Sequence, residues 1–112
     1  MNDGEHLEVR FFCTDNGNEP VRDWLKSLPI EQRKLIGEDI KTVQFGWPLG
    51  MPLVRPMGDG LFEIRTTLKN TISRILICFS DNKIILLHGF IKKTQKCPAN
   101  DFDIAKRRKK LI

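Results

Sequence analysis

The chain has no tyrosine, only two histidines and three cysteines, and each scarcity excludes something. Without tyrosine, no phenol is available for proton transfer. Cys13, Cys78 and Cys97 form an odd set with no C-x-x-C spacing, which excludes a zinc ribbon and argues against a disulfide framework. They are expected as reduced thiols. No apolar run reaches the ~20 residues that a membrane-crossing helix needs, so a soluble protein with no membrane partner is expected. Met1-Asn2-Asp3-Gly4-Glu5-His6 is acidic where a secretory signal would be basic, and the expected location is the cytoplasm.

What is present is ordinary in amount and uneven in distribution. The 112 residues are 40% hydrophobic and 29% charged, which suits one globular domain spanning residues 1–112. The net charge is +5. Residues 91–112 hold eight cations (Lys92, Lys93, Lys96, Lys106, Arg107, Arg108, Lys109 and Lys110) against Asp101 and Asp103, giving +6 and leaving −1 for the rest. A concentrated basic region of this kind points to a polyanion, with nucleic acid the leading partner. The competing reading is that the cations from Lys106 to Lys110 only favour the negative end of a terminal helix and keep it hydrated.

Periodicity predicts the elements. From His6 to Thr14, Leu7, Val9 and Phe11 alternate with Glu8, Arg10 and Phe12, a strand pattern. Asn18-Glu19-Pro20 offers a cap and an early proline to a helix carrying Val21, Trp24, Leu25 and Leu28 on one side. Pro29 separates it from a second helix whose expected stripe is Leu35, Ile36, Ile40 and Val43. Residues 46–60 are dense in glycine and proline and read as a long surface connection, with at most a short edge strand at Leu53 to Arg55. Leu61 to Thr67, Thr71 to Phe79 and Lys83 to Phe90 then form a meander through turns at Leu68-Lys69-Asn70 and Asp81-Asn82. Ile84-Ile85-Leu86-Leu87 is apolar throughout, as in a strand covered on both faces. Asn100 is the expected cap of a last helix, with Phe102, Ala105 and Ile112 along one stripe and Ile104 and Leu111 beside it. Arg108 falls in that band and alone of the four consecutive cations from Arg107 on should turn toward the sheet. The fold class is therefore α+β.

The order of these elements resembles the RelE/HigB toxin superfamily of type II toxin–antitoxin systems, and its phage-derived HigB-like branch in particular. The residues that carry the likeness are Pro52-Leu53-Val54-Arg55, Gly58-Asp59-Gly60-Leu61-Phe62-Glu63-Ile64-Arg65, Ser73-Arg74-Ile75-Leu76, and Leu86-Leu87-His88-Gly89-Phe90-Ile91-Lys92-Lys93-Thr94-Gln95-Lys96-Cys97-Pro98, leading to Ala105-Lys106-Arg107-Arg108. The resemblance implies a RelE-like fold: an N-terminal strand and helical hairpin, a mostly antiparallel twisted sheet and a C-terminal helix, with helices on one side of the sheet and a basic concave face on the other. It also implies a metal-independent endoribonuclease, an mRNA interferase without cofactor, that cuts mRNA on the ribosome and inhibits translation. The implied partners are the ribosome, mRNA and a cognate antitoxin, acidic and of helix-turn-helix type, through which alone operator DNA would be met.

RNA cleavage without a metal requires the 2′-hydroxyl to lose a proton, the phosphorane charge to be stabilised and the leaving 5′-oxygen to gain a proton. By the resemblance, Arg65 binds the phosphate and stabilises the transition state, while Lys92 and Lys93 are candidates for phosphate contact and acid–base work. An ordinary lysine titrates near ~10.4, so neighbouring cations or burial would have to lower it; Arg65, Lys92, Lys93 and Arg108 crowded around one phosphate would do so. His88 is a further acid–base candidate, since imidazole titrates near ~6.5, with a structural histidine as its rival reading. Arg55, Lys96, Lys106, Arg107, Arg108, Lys109 and Lys110 are the candidate RNA-binding residues. Arg65 has a rival role as a cross-strand ion pair, Arg74 is read as tying the sheet to Glu63, and Trp47 either stacks on a base or fills a gap. Some relatives use a tyrosine near the terminal helix. Its absence here leaves stacking to Phe102 and keeps a second function in play, a non-catalytic toxin-like module that binds nucleic acid or protein.

Overall fold

A computed structural model describes residues 7–48, 53–92 and 97–112, the side chain of Lys92 excepted. In chain order it runs β1 (Glu8–Phe11), α1 (Pro20–Lys26), α2 (Ile30–Gly46), β2 (Val54–Gly58), β3 (Leu61–Thr67), β4 (Ile72–Ser80), β5 (Lys83–Lys92) and α3 (Ala99–Lys110). The strands form one sheet in the order β1-β5-β4-β3-β2. β1 is parallel to β5 and the remaining pairs are antiparallel. The apolar β4 and β5 occupy the middle, where both faces are covered. Asp81 and Asn82 both have positive φ (48° and 63°), the backbone of a tight two-residue hairpin turn.

Alternation along β4 splits the core. Ile75 and Ile77 face a cluster with Val21 of α1, Ile36, Ile40 and Val43 of α2, and Ile84 and Leu86 of β5. Leu76 and Cys78 face the other way, onto Ile85, Leu87 and Phe90 of β5 and Ala105 of α3. Helices therefore lie on both faces of the sheet, which corrects the expectation of helices on one side only. The physical reason is the apolar run itself: a strand with no polar face needs cover on each side.

Other boundaries differ for local reasons. β2 extends to Gly58 and joins β3 through Asp59-Gly60, where a long loop was expected. Pro56 is tolerated because β2 is the sheet edge, and the register shifts between Pro56 and Gly58. Neither Asn18 nor Asn100 caps a helix. Asn18 accepts from the Thr14 N–H and donates its own N–H to Thr14 Oγ1 in a preceding turn, while Pro98 (φ −61°) starts α3 early enough to enclose Asn100. Leu35, at the border of the α2 stripe, is exposed, as are Leu111 and Ile112. The last two follow the final helical residue, so the stripe ends before reaching them.

Gly89 is required by packing. A Cβ there would lie 2.5 Å from Cε3 and Cζ3 of Trp24, whose indole crosses β5. Gly89→Ala should destabilise the protein by ~1–3 kcal/mol, the usual cost of overpacking. A urea midpoint unchanged from wild type would show that α1 does not sit on this strand.

Candidate active site

Strand register assembles the charged groups. Arg55 lies opposite Glu63, Glu63 opposite Leu76, Leu76 opposite His88, Arg65 opposite Arg74, and Arg74 opposite Phe90. Leu76 packs toward α3, and side chains two apart share a face. Arg55, Glu63, Arg65, Arg74 and His88 consequently lie on the α3 side of the sheet, across four adjacent strands.

At the centre is a buried ion pair. Arg74 and Glu63 are both 0% exposed, with Arg74 NH1 3.8 Å from Glu63 Oε2. Arg65 Nε approaches Glu63 Oε1 at 3.8 Å from a side chain that is 19% exposed. Arg74 ties β4 to Glu63 as expected, whereas Arg65 pairs with Glu63 within its own strand and not across strands, and of the two only Arg65 also reaches solvent. Among the described residues neither Glu63 oxygen accepts a hydrogen bond. Burial pushes the Glu63 carboxyl above the ordinary glutamate value of 4.5, and Arg74, then Arg65 and Arg55, pull it partly back.

That direction has a measurable sign. A raised folded-state pKa means that the folded protein takes up this proton before the unfolded chain does. Ionised Glu63 thus costs stability at neutral pH, and the cost fades as pH falls through the folded value toward 4.5. The urea midpoint of wild type relative to Glu63→Gln should therefore rise from about pH 7 to about pH 5. A difference that stays constant over that interval would refute the raised carboxyl.

His88 is held by a partner that sequence reasoning missed. Its Nε2 lies 2.6 Å from Oδ1 of Asp101, in the first turn of α3. The ring stacks on Phe90 with centroids 5.6 Å apart. The two side chains are 16% and 13% exposed, accessible but shielded. In the sequence Asp101 reads only as an acidic residue that suits the N-terminal end of the helix dipole. Its carboxylate opposite imidazole orients the ring. Cys97 belongs to the same surroundings: burial raises its thiol pKa, with Glu63 and Asp101 adding to the effect and Arg74 and Arg55 opposing it. A raised thiol is a poor nucleophile.

The α3 cations separate from this cluster. Arg108 turns inward, donating from NH1 to the Leu87 carbonyl at 2.7 Å and lying 5.7 Å from the centre of the Phe12 ring. It sits toward β1, with β5 and β4 between it and Arg65, so the expected crowding of Arg108 around the Arg65 phosphate site is not formed. The distance follows from helix direction: α3 begins beside His88 and ends beside Cys78 and Ser80. Lys106 pairs with Asp59 at 3.6 Å, and Lys109 lies against Gly60, both clasping the β2–β3 turn. Arg107 and Lys110 are exposed. Lys92 closes β5 opposite Ile72, while Lys93 and Lys96 lie outside the described residues.

Two remaining candidates are core. Trp47 stacks on Phe79 (4.4 Å) and meets the edge of Phe62 (5.3 Å), which removes it as a base-stacking platform. Cys78 is buried. Among the described residues no three His, Cys, Asp or Glu side chains converge as a metal site, and no helix is long and apolar enough to cross a membrane.

Comparison with protein-family models matches residues 23–110 to the phage-derived Gp49-like proteins. No curated protein matches the chain at a significant level. The matched stretch includes Arg55, Glu63, Arg65, Arg74, His88 and Asp101 together with both helical layers, and the α+β architecture is consistent with a RelE-like fold. The chain belongs to the phage-derived Gp49-like family, a toxin-like family related to the RelE/HigB toxin superfamily.

Proposed function

We propose that this chain is the toxin of a type II toxin–antitoxin system, of the HigB-like branch, and that it is a metal-independent endoribonuclease cutting mRNA on the ribosome in the cytoplasm. The observation that carries the reading is the His88–Asp101 pair on the same face of the sheet as an arginine cluster in which Arg65 is partly open to solvent. Arg65 receives the scissile phosphate through its planar fork and neutralises the charge that grows on the phosphorane. The 2′-oxygen attacks phosphorus, the bond to the 5′-oxygen breaks, and the products are a 2′,3′-cyclic phosphate and a 5′-hydroxyl. His88, oriented by Asp101, donates a proton to the leaving oxygen. Its Nδ1 is the nitrogen available, since Nε2 faces Asp101. Lys92 and Lys93 supply further phosphate contact and take the proton from the 2′-hydroxyl.

With no tyrosine in the chain, protonation of the leaving oxygen falls to His88. Arg107 and Lys110, exposed on α3, contact ribosomal or messenger RNA at a distance from the cut. An acidic antitoxin of helix-turn-helix type covers the basic side of the sheet or α1 around Trp24 and Leu25, and links the toxin to operator DNA. Expression of the chain without an antitoxin should arrest bacterial growth reversibly. Vigorous growth alongside verified folded protein would overturn the reading.

A further inference from the structure

Beyond the point where β2 ends, the edge of β3 opens into a cleft of about 460 Å³, within the ~300–1,000 Å³ range of small-molecule sites. The last β2–β3 pair is Val54 with Ile64, and the Arg65 N–H is taken by the Leu53 carbonyl at 2.9 Å. Past it the cleft runs between α2 and the end of the sheet. Leu35, Leu53 and Ile72 form its apolar walls, and Glu38 and Asp39 of α2 bring two carboxylates. Arg65 lines it as well, while its side chain turns to Glu63 on the α3 side, so the proposed phosphate site is reached from the cleft around the open edge of β3.

Two features point to a ligand and not to a hydrated groove. Thr66 lines the cleft at 3% exposure, and its buried Oγ1 has no hydrogen-bond partner among the described residues. Leu35, an apolar side chain of α2 that is 44% exposed, forms part of the wall. Glu38 and Asp39 enter no ion pair among the described residues. Carboxylates beside aliphatic walls suit a flat apolar ring with hydrogen-bond donors on its edge, and an arginine at the mouth suits a phosphate attached to that ring through a sugar.

We propose that this cleft binds the base of the nucleotide on the 5′ side of the cut and selects guanine. Guanine presents adjacent imino and amino donors that match both oxygens of one carboxylate. Uracil offers a single N–H flanked by acceptors, which carboxylates repel. The hydroxyl of Thr66 supplies the remaining polar contact, and Leu35, Leu53 and Ile72 hold the ring. This inference rests on the endoribonuclease reading only for the phosphate's position at Arg65.

The test titrates the folded protein with guanosine 3′-monophosphate and uridine 3′-monophosphate, following amide NMR shifts, and maps cleavage ends in a translation reaction. The guanosine nucleotide should shift Thr66, Thr67 and Ile72 and bind about tenfold more tightly than the uridine nucleotide, the discrimination of one bidentate contact. Glu38→Gln with Asp39→Asn should erase that preference. Equal binding of both nucleotides, or shifts confined to residues outside the cleft, would overturn the inference. If mRNA is cut with no enrichment of guanine on the 5′ side, the inference fails and the endoribonuclease reading stands. If the guanosine nucleotide binds selectively and no mRNA is cut, the cleft stands and the endoribonuclease reading fails.

Discussion

Arg65→Ala should lower mRNA cleavage by ~10²–10³, the scale lost when one donor to a developing anionic charge is removed, while the far-ultraviolet dichroism stays native. Arg65 is partly open to solvent and lies 3.8 Å from Glu63. Its loss removes the fork from the phosphate but leaves Arg74 to hold the buried carboxylate. Arg65→Lys should recover only part of the rate, because a point charge replaces bidentate contact. If Arg65→Ala unfolds the protein, the guanidinium is structural and the phosphate site lies elsewhere.

Arg74→Ala should act on stability, at a cost of ~3–5 kcal/mol. Arg74 and Glu63 have no exposed surface, so deleting the arginine leaves a carboxylate without its fully buried partner in a site where burial already disfavours ionisation. Urea unfolding measures the loss directly. Replacing both residues by leucine should restore most of it, since a buried ion pair and an apolar pair of similar volume are often equivalent in stability. A single-variant cost below ~1 kcal/mol would mean that the pair is hydrated and that the strands do not close over it. The two arginines, directly opposite in the β3–β4 register, would thus separate into one catalytic and one structural loss.

Much of this arrangement is visible in the sequence because it follows from strand periodicity. Glu63 and Arg65 share a face by their two-residue spacing, and an adjacent hairpin strand brings Arg74 opposite, so the Arg74–Glu63 tie can be read without coordinates. The continuous apolar run of Ile84 to Leu87 likewise announces a central strand. His88 and Asp101 are different. They meet only because α3 crosses the sheet, and Asp101 reads locally as an ordinary dipole-compensating residue. The same placement carries Arg108 away from Arg65, which a count of cations along the chain does not reveal. β2 is hidden by Pro56 and Gly58, breakers that an edge strand tolerates. Leu35 fits the helical stripe yet borders a cleft, because a stripe gives a helix's direction of burial and not the width of the surface beneath it.

The central claim is that Arg65 and the His88–Asp101 pair cut translated mRNA. The most direct measurement is to add the purified chain to a translation reaction, map new 5′-hydroxyl ends within the coding sequence, and repeat it with Arg65→Ala and with His88→Asn. Discrete new ends with the wild-type chain, reduced ~10²-fold or more by either substitution while both variants remain folded, are the expected result. Intact mRNA at a wild-type concentration that blocks translation, or ends equally abundant with both variants, would contradict it.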